Sequence, residues 1–87
     1  MVVEKGCACF VETVSKYWVG VLVEEGSHFV ILKNAAWVAE TGRYHEFVQK
    51  GKAEGMEIEP CRPEDEIKVY HPSVLMPWPH KLFKEAI

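Results

Sequence analysis

Two neighbouring segments are apolar on both of their alternating faces, and this limits the fold more than any other feature of the chain. In Tyr17–Val23, Val19, Val21 and Val23 fall on one face of an extended strand. Trp18 and Leu22, with Gly20, fall on the other. In His28–Leu32, Phe29 and Ile31 oppose Val30 and Leu32. The intervening Glu24-Glu25-Gly26-Ser27 reads as a hairpin turn, because glycine tolerates positive φ. A sheet with one wet face alternates apolar and polar residues. Here both faces require cover. Either a second copy of the chain or its own C-terminal segment must supply it, and self-association is the expectation.

The rest of the chain reads around that hairpin. Cys7–Val14 is rich in apolar and β-branched residues and forms a first strand, broken by Ser15-Lys16. Lys33-Asn34-Ala35 breaks the returning strand, and Ala36–Glu40 forms a further one. Tyr44, Phe47 and Val48 make one helical stripe. Thr41 or Gly42 caps its start and Gly51 ends it. Lys50–Glu59 is loop-like until Met56-Glu57-Ile58, and Pro60 to Glu66 forms an exposed turn. Ile67–Tyr70 is the last strand. Pro77-Trp78-Pro79 is extended, and His80–Ile87 is a short amphipathic helix carrying Leu82, Phe83 and Ala86. The expected fold is α+β and mainly β. It is a small antiparallel sheet or partial barrel of about five strands, with one short helix. The chain is one domain over residues 1–87, with a core at about 7–70 and a C-terminal extension at about 71–87.

Composition excludes several classes. Net charge is -3, so a duplex-binding protein, which needs a strongly basic face, is not expected. No apolar run approaches the roughly 18 residues of a membrane-spanning helix. The start, Met1-Val2-Val3-Glu4-Lys5-Gly6, has no basic region before an apolar stretch, so a cytoplasmic protein is expected. Cys7, Cys9 and Cys61 are an odd set and lack knuckle spacing, which favours reduced thiols over a disulfide framework or a metal site. Neither a catalytic constellation nor a cofactor motif is visible, and His45-Glu46 diverge on a helix.

Binding chemistry is better represented. Tracing the hairpins places the Ser15 turn and the Lys33-Asn34 break at one end of the sheet, near the helix start. That end would collect Ser15, Tyr17, Trp18, Lys33, Asn34, Trp37, Arg43 and Tyr44. Aromatic faces, a hydroxyl, an amide and cations suit a planar anionic ligand such as a nucleotide. Bases stack on aromatic rings, carboxamides read base edges, and arginine holds phosphate.

Val11-Glu12-Thr13-Val14-Ser15, Val19-Gly20-Val21-Leu22, Val30-Ile31-Leu32-Lys33-Asn34-Ala35, Gly42 and His45-Glu46-Phe47 follow one another in an order that carries a resemblance. It resembles a family of short phage-encoded proteins marked by V-x-T-x-S, V-x-G-x-L and V-x-L-K-N-A blocks, a short helix and a final strand. That family is similar to the anti-CBASS nucleotide sponges. The resemblance covers about residues 9 to 70, and Ala36, Ala39 and Thr41 stand where members often carry arginines and tryptophans. It implies a phage immune-evasion protein of the bacterial cytoplasm. Such a protein sequesters a cyclic oligonucleotide messenger, a cyclic dinucleotide by preference, without cleaving it, as a dimer or tetramer. The competing expectation is a protein-interaction module that blocks a host protein through Pro77-Trp78-Pro79 and Leu82-Phe83.

Overall fold

The computed structural model describes residues 3–87; Met1 and Val2, with which the N-terminal stretch read for a leader begins, lie outside the described residues. Six strands and one helix follow in the order β1 (Ala8–Glu12), β2 (Tyr17–Glu25), β3 (Phe29–Glu40), α1 (Tyr44–Lys50), β4 (Glu57–Pro60), β5 (Ile67–Tyr70) and β6 (Val74–Pro77). All pairings are antiparallel, in the order β4-β3-β2-β1-β6, with β5 also on β3. The mainly β expectation is therefore met, as an antiparallel sheet that does not close into a barrel. The last strand is β6 and not Ile67–Tyr70. Its closing residue, Pro77, lies opposite Cys9 on an edge strand, where a missing N–H is tolerated.

The connection from β5 to β6 forces the sheet to curl. These two strands occupy opposite edges, with β3, β2 and β1 between them. Four strand spacings in a flat sheet measure about 19 Å. Four chain steps from Tyr70 to Val74 reach only about 14 Å. The link closes because the edges approach each other. It is pinned by the His71 N–H donating to the His28 carbonyl at 2.7 Å and the Ser73 N–H donating to the Glu12 carbonyl at 2.8 Å.

Curling separates two cores, one on each face. Cys9, Val11, Leu22, Val30, Leu32 and Val69 pack together on the first face. Phe10, Val19, Ala36, Val38, Phe47, Ile58 and Trp78 pack on the second. Strand β3 contributes to both. Its even-numbered residues Val30 and Leu32 enter the first core, whereas Ala36 and Val38 enter the second. The switch lies at Lys33-Asn34, where three steps along β3 face two along β2 (Val19 opposite Ala36, Val21 opposite Lys33). The extra residue is a β-bulge, and Asn34 takes the left-handed conformation that asparagine accepts (φ 49°). The expected break is thus a bulge within one continuous strand of 12 residues. Gly20 lies across from it. A Cβ there would stand 3.1 Å from the Ala35 Cα and 3.1 Å from the Lys33 carbonyl oxygen, so glycine permits the bulge to approach.

The C-terminal segment covers the second face. It is not the helix expected for His80–Ile87; it runs as irregular chain. Trp78 is buried against Phe10, Phe47 and Phe83, and its ring N–H donates to the Lys81 carbonyl at 3.1 Å. His80 donates from Nε2 to the Val48 carbonyl at 2.9 Å and lies against Gly51. Gly51 ends α1 as expected, in the left-handed region (φ 78°). Neither Thr41 nor Gly42 caps the helix start; Arg43 occupies that position, with no side-chain cap bond. The Thr41 hydroxyl instead donates to the Gly42 carbonyl at 2.9 Å. The apolar face from which self-association was expected is therefore covered by α1 and the tail of the same chain. The helix alone is too short to do it, and the C-terminal segment, the alternative to a second copy, supplies the rest.

Two substitutions test this account. Gly20→Ala should destabilise the fold by about 1–3 kcal/mol, because it crowds backbone atoms that cannot rotate away. The urea midpoint should fall while the slope of the transition is unchanged. Trp78→Ala should remove about 3–5 kcal/mol, the usual range for a buried large aromatic. A loss under about 1 kcal/mol would mean that the tail is not part of the core.

Candidate functional site

The eight residues expected at one end of the sheet are divided between two faces and two heights. Tyr17 and Tyr44 lie together on the second face, 5.9 Å apart, and both pack on Phe10. The Tyr44 hydroxyl donates to the Glu12 carboxylate at 2.9 Å. Burial, and then that hydrogen bond and the Glu12 charge, push its pKa up to about 12. Arg43 is exposed beside them at the helix start. Ser15 is exposed at the hairpin tip, where its N–H donates to the Thr13 hydroxyl oxygen. Trp18 packs against the first core. Trp37 is its cross-strand partner, so it shares that face, but it remains 39% exposed.

Lys33 and Asn34 do not join this group. The bulge keeps the strand running, so they sit near its middle, across from Gly20–Val21 and away from the Ser15 turn. Lys33 forms a loose ion pair with Glu66 at 3.8 Å, with both side chains about half exposed. Such a pair contributes little to stability.

Asn34 instead belongs to a site that the sequence does not place. Strand β3 is paired by β5 along Phe29–Leu32 and by β4 along Ala36–Glu40, which leaves its edge open between them. The loop from Cys61 to Glu66 crosses that gap. The Cys61 N–H donates to the Ala35 carbonyl at 2.8 Å, and the Asn34 N–H donates to the Pro63 carbonyl at 3.4 Å. The tail passes on the other side. Between them lies a groove of about 350 Å³ lined by Asn34, Cys61, Pro63, Leu82, Phe83 and Lys84. Its volume falls in the usual range of small-ligand sites, and its lining is mostly apolar with a few polar groups. It offers an amide, an aromatic ring and a cation. Phe83 carries only the expectation of a protein-contact anchor and Lys84 none, because their place in this groove follows from the course of the irregular tail.

Two further concavities carry titratable side chains. One, of about 450 Å³, lies beside the β2–β3 turn and is lined in part by Glu25, Ser27, His28, His71 and Ser73, with the two imidazoles 5.8 Å apart. The other, of about 470 Å³, lies at the end of α1 and is lined by Lys50, Lys52 and Lys81 among others. Among the described residues, no group of three or more His, Cys, Asp or Glu side chains is arranged to hold a metal ion. No helix among them is long and apolar enough to cross a membrane.

The three thiols differ in environment. Cys7 is exposed, Cys9 is buried and Cys61 is intermediate. Burial, and secondarily the Glu25 charge, push Cys9 up to about 12. Burial and then the Asp65 charge raise Cys61. Because the thiolate is the reactive form, native-state titration with a disulfide reagent should show one fast thiol, Cys7. Cys61 should react more slowly, and Cys9 only on unfolding. Fast reaction of Cys9 in the native protein would contradict its place in the first core.

Compared with protein-family models, with curated proteins and with solved structures, the chain matches none, so the reading of this groove rests on its geometry and on the motif that builds it.

Proposed function

We propose that this chain is a non-catalytic binder that sequesters a cyclic oligonucleotide, the role implied by its resemblance to the anti-CBASS sponges. The observation that carries the proposal is the Asn34 groove. Asn34 ends the most specific block of that resemblance with Ala35, and its left-handed bulge brings it to the groove wall. A carboxamide makes paired hydrogen bonds to a base edge. Phe83 gives a face for stacking, for about 1–3 kcal/mol per base. Lys84 supplies a charge for phosphate. The ligand class is a nucleobase joined to phosphate, and in this reading the binding unit is a dimer or tetramer of the chain. The alternative, capture of a host protein through Pro77-Trp78-Pro79, is less favoured because Trp78 is only 4% exposed and its ring N–H is engaged within the tail.

The test is a thermal-shift panel of cyclic di- and trinucleotides of varied base and linkage, with linear nucleotides as controls. A true ligand at 100 times its dissociation constant should add about 2.7 kcal/mol of stability. For a domain of this size that is a shift of more than about 10 °C. The recovered ligand should be intact. Asn34→Gly keeps the left-handed backbone accessible and removes the carboxamide, so it should fold normally and lose most of the shift. Bound ligand should also slow alkylation of Cys61 in a Cys7→Ser background. Absence of any shift across the panel, cleaved ligand, or an undiminished shift in Asn34→Gly would each overturn the proposal.

A further inference from the structure

We propose a second binding site on the other side of the tail, an anion groove built by Lys50, Lys52 and Lys81 that takes a di- or polyphosphate. It is separate from the Asn34 groove, although Leu82 and Phe83 line both. Lys50 ends α1, Lys52 follows Gly51, and Lys81 comes from the tail. The groove measures about 470 Å³, and Met56 and Phe83 supply apolar wall.

Charge distribution carries the inference. The protein is acidic, with 13 Asp and Glu against 10 Lys and Arg, yet no carboxylate lines this groove. Among the described residues, the ion pairs engage only Lys33 and Arg62, so none of the three lysines is paired. All three are exposed. Like charges gathered without a counterion repel one another, and a multivalent anion relieves that repulsion.

A helix end ordinarily disfavours anions, because its last carbonyls carry partial negative charge. Here two of those carbonyls are engaged. Phe47 O accepts from the Gly51 N–H at 2.8 Å, and Val48 O accepts from His80 Nε2 at 2.9 Å. The same His80 bond fixes the tail against α1, so Lys81 is held beside the lysines flanking Gly51. The contact needs glycine, since a Cβ at position 51 would stand 2.6 Å from the His80 Cβ.

The experiment is a titration of the full chain with inorganic pyrophosphate at about 0.15 M salt, followed by amide chemical shifts. Surface charges are largely screened beyond about 8 Å under those conditions, so only a convergent site responds strongly. The expected result is a saturable change confined to residues 50–52 and 80–83. Lys50→Gln/Lys52→Gln/Lys81→Gln should weaken affinity by at least about 10-fold, each tenfold being about 1.4 kcal/mol. Lys5→Gln/Lys16→Gln/Lys33→Gln, with the same change in net charge, should not. Asn34→Gly should leave pyrophosphate binding unchanged, which separates this site from the nucleotide reading. Non-saturable shifts, shifts spread over all lysines, or equal weakening by the two triple variants would overturn the proposal. Because the six lysines are exposed, loss of folding is not the expected effect of either set; the shift spectrum of each free variant reports it directly.

Discussion

The close approach of Gly20 to the Lys33–Ala35 bulge is the constraint on which the rest of the structure depends. Without a bulge, Val30, Leu32, Ala36 and Val38 would all point to one side of the sheet, as period-2 alternation demands. The extra residue at Asn34 turns the second pair to the other side. One strand then feeds both cores. The same irregularity opens a gap between β5 and β4 on the outer edge of β3, and the candidate groove occupies that gap. A side chain at position 20 would press on backbone and not on a movable side-chain end, so the structure has no easy way to relieve it.

The second dependency is the tail. A chain of 87 residues has little apolar surface to bury, and a two-faced sheet needs two covers. The curl of the sheet encloses the first core. The second is closed by Phe47 from α1 and by Trp78, Leu82 and Phe83 from the tail. Phe10 sits at its centre, with Tyr17, Tyr44, Phe47 and Trp78 all about 6 Å away, ring centre to ring centre. The C-terminus adds one more contact: Ile58 and Ile87 exchange N–H to carbonyl bonds across the free edge of β4. A tail that completes the core and also walls two grooves would tie the proposed binding to global stability. Anything that loosens Trp78 should weaken both sites at once.

Much of this was legible in the sequence, for identifiable reasons. Tyr17–Val23 and His28–Leu32 announced themselves by β-branched and aromatic content, and α1 by the spacing of Tyr44, Phe47 and Val48 with Gly51 behind it. Their apolar faces stated correctly that two covers were needed. The rest depended on non-local geometry. Lys33-Asn34-Ala35 looks like a break because asparagine favours turns, and only the partner strand's Gly20 shows that the chain passes straight through as a bulge. That misreading carried Lys33 and Asn34 to the wrong end and split the expected site. The tail was opaque for another reason: Pro77, Pro79 and His80 leave no periodicity, so Trp78 read as an exposed anchor and Leu82 and Phe83 as a helix face. Val74–Pro77 was missed because its single ladder partner, β1, lies more than 60 residues earlier.

Net charge is a poor guide to what this surface attracts. The acidic excess argues against a long electrostatic track, and nothing in the fold gathers the cations into one. Screening at physiological salt limits each charge to about 8 Å, so a ligand senses the lining of its own groove more than the total. The cavity beside His28 and His71 includes Glu25, the Asn34 groove carries one lysine, and the groove at the end of α1 carries three with no acid. Phe83 stands between the last two. In the two proposals this arrangement suits a nucleobase joined to phosphate on the ring-and-amide side and a separate multivalent anion on the lysine side. It disfavours a purely apolar ligand, which would strip water from the exposed lysines. It equally disfavours a simple small anion at the Asn34 side, where most of the wall is apolar.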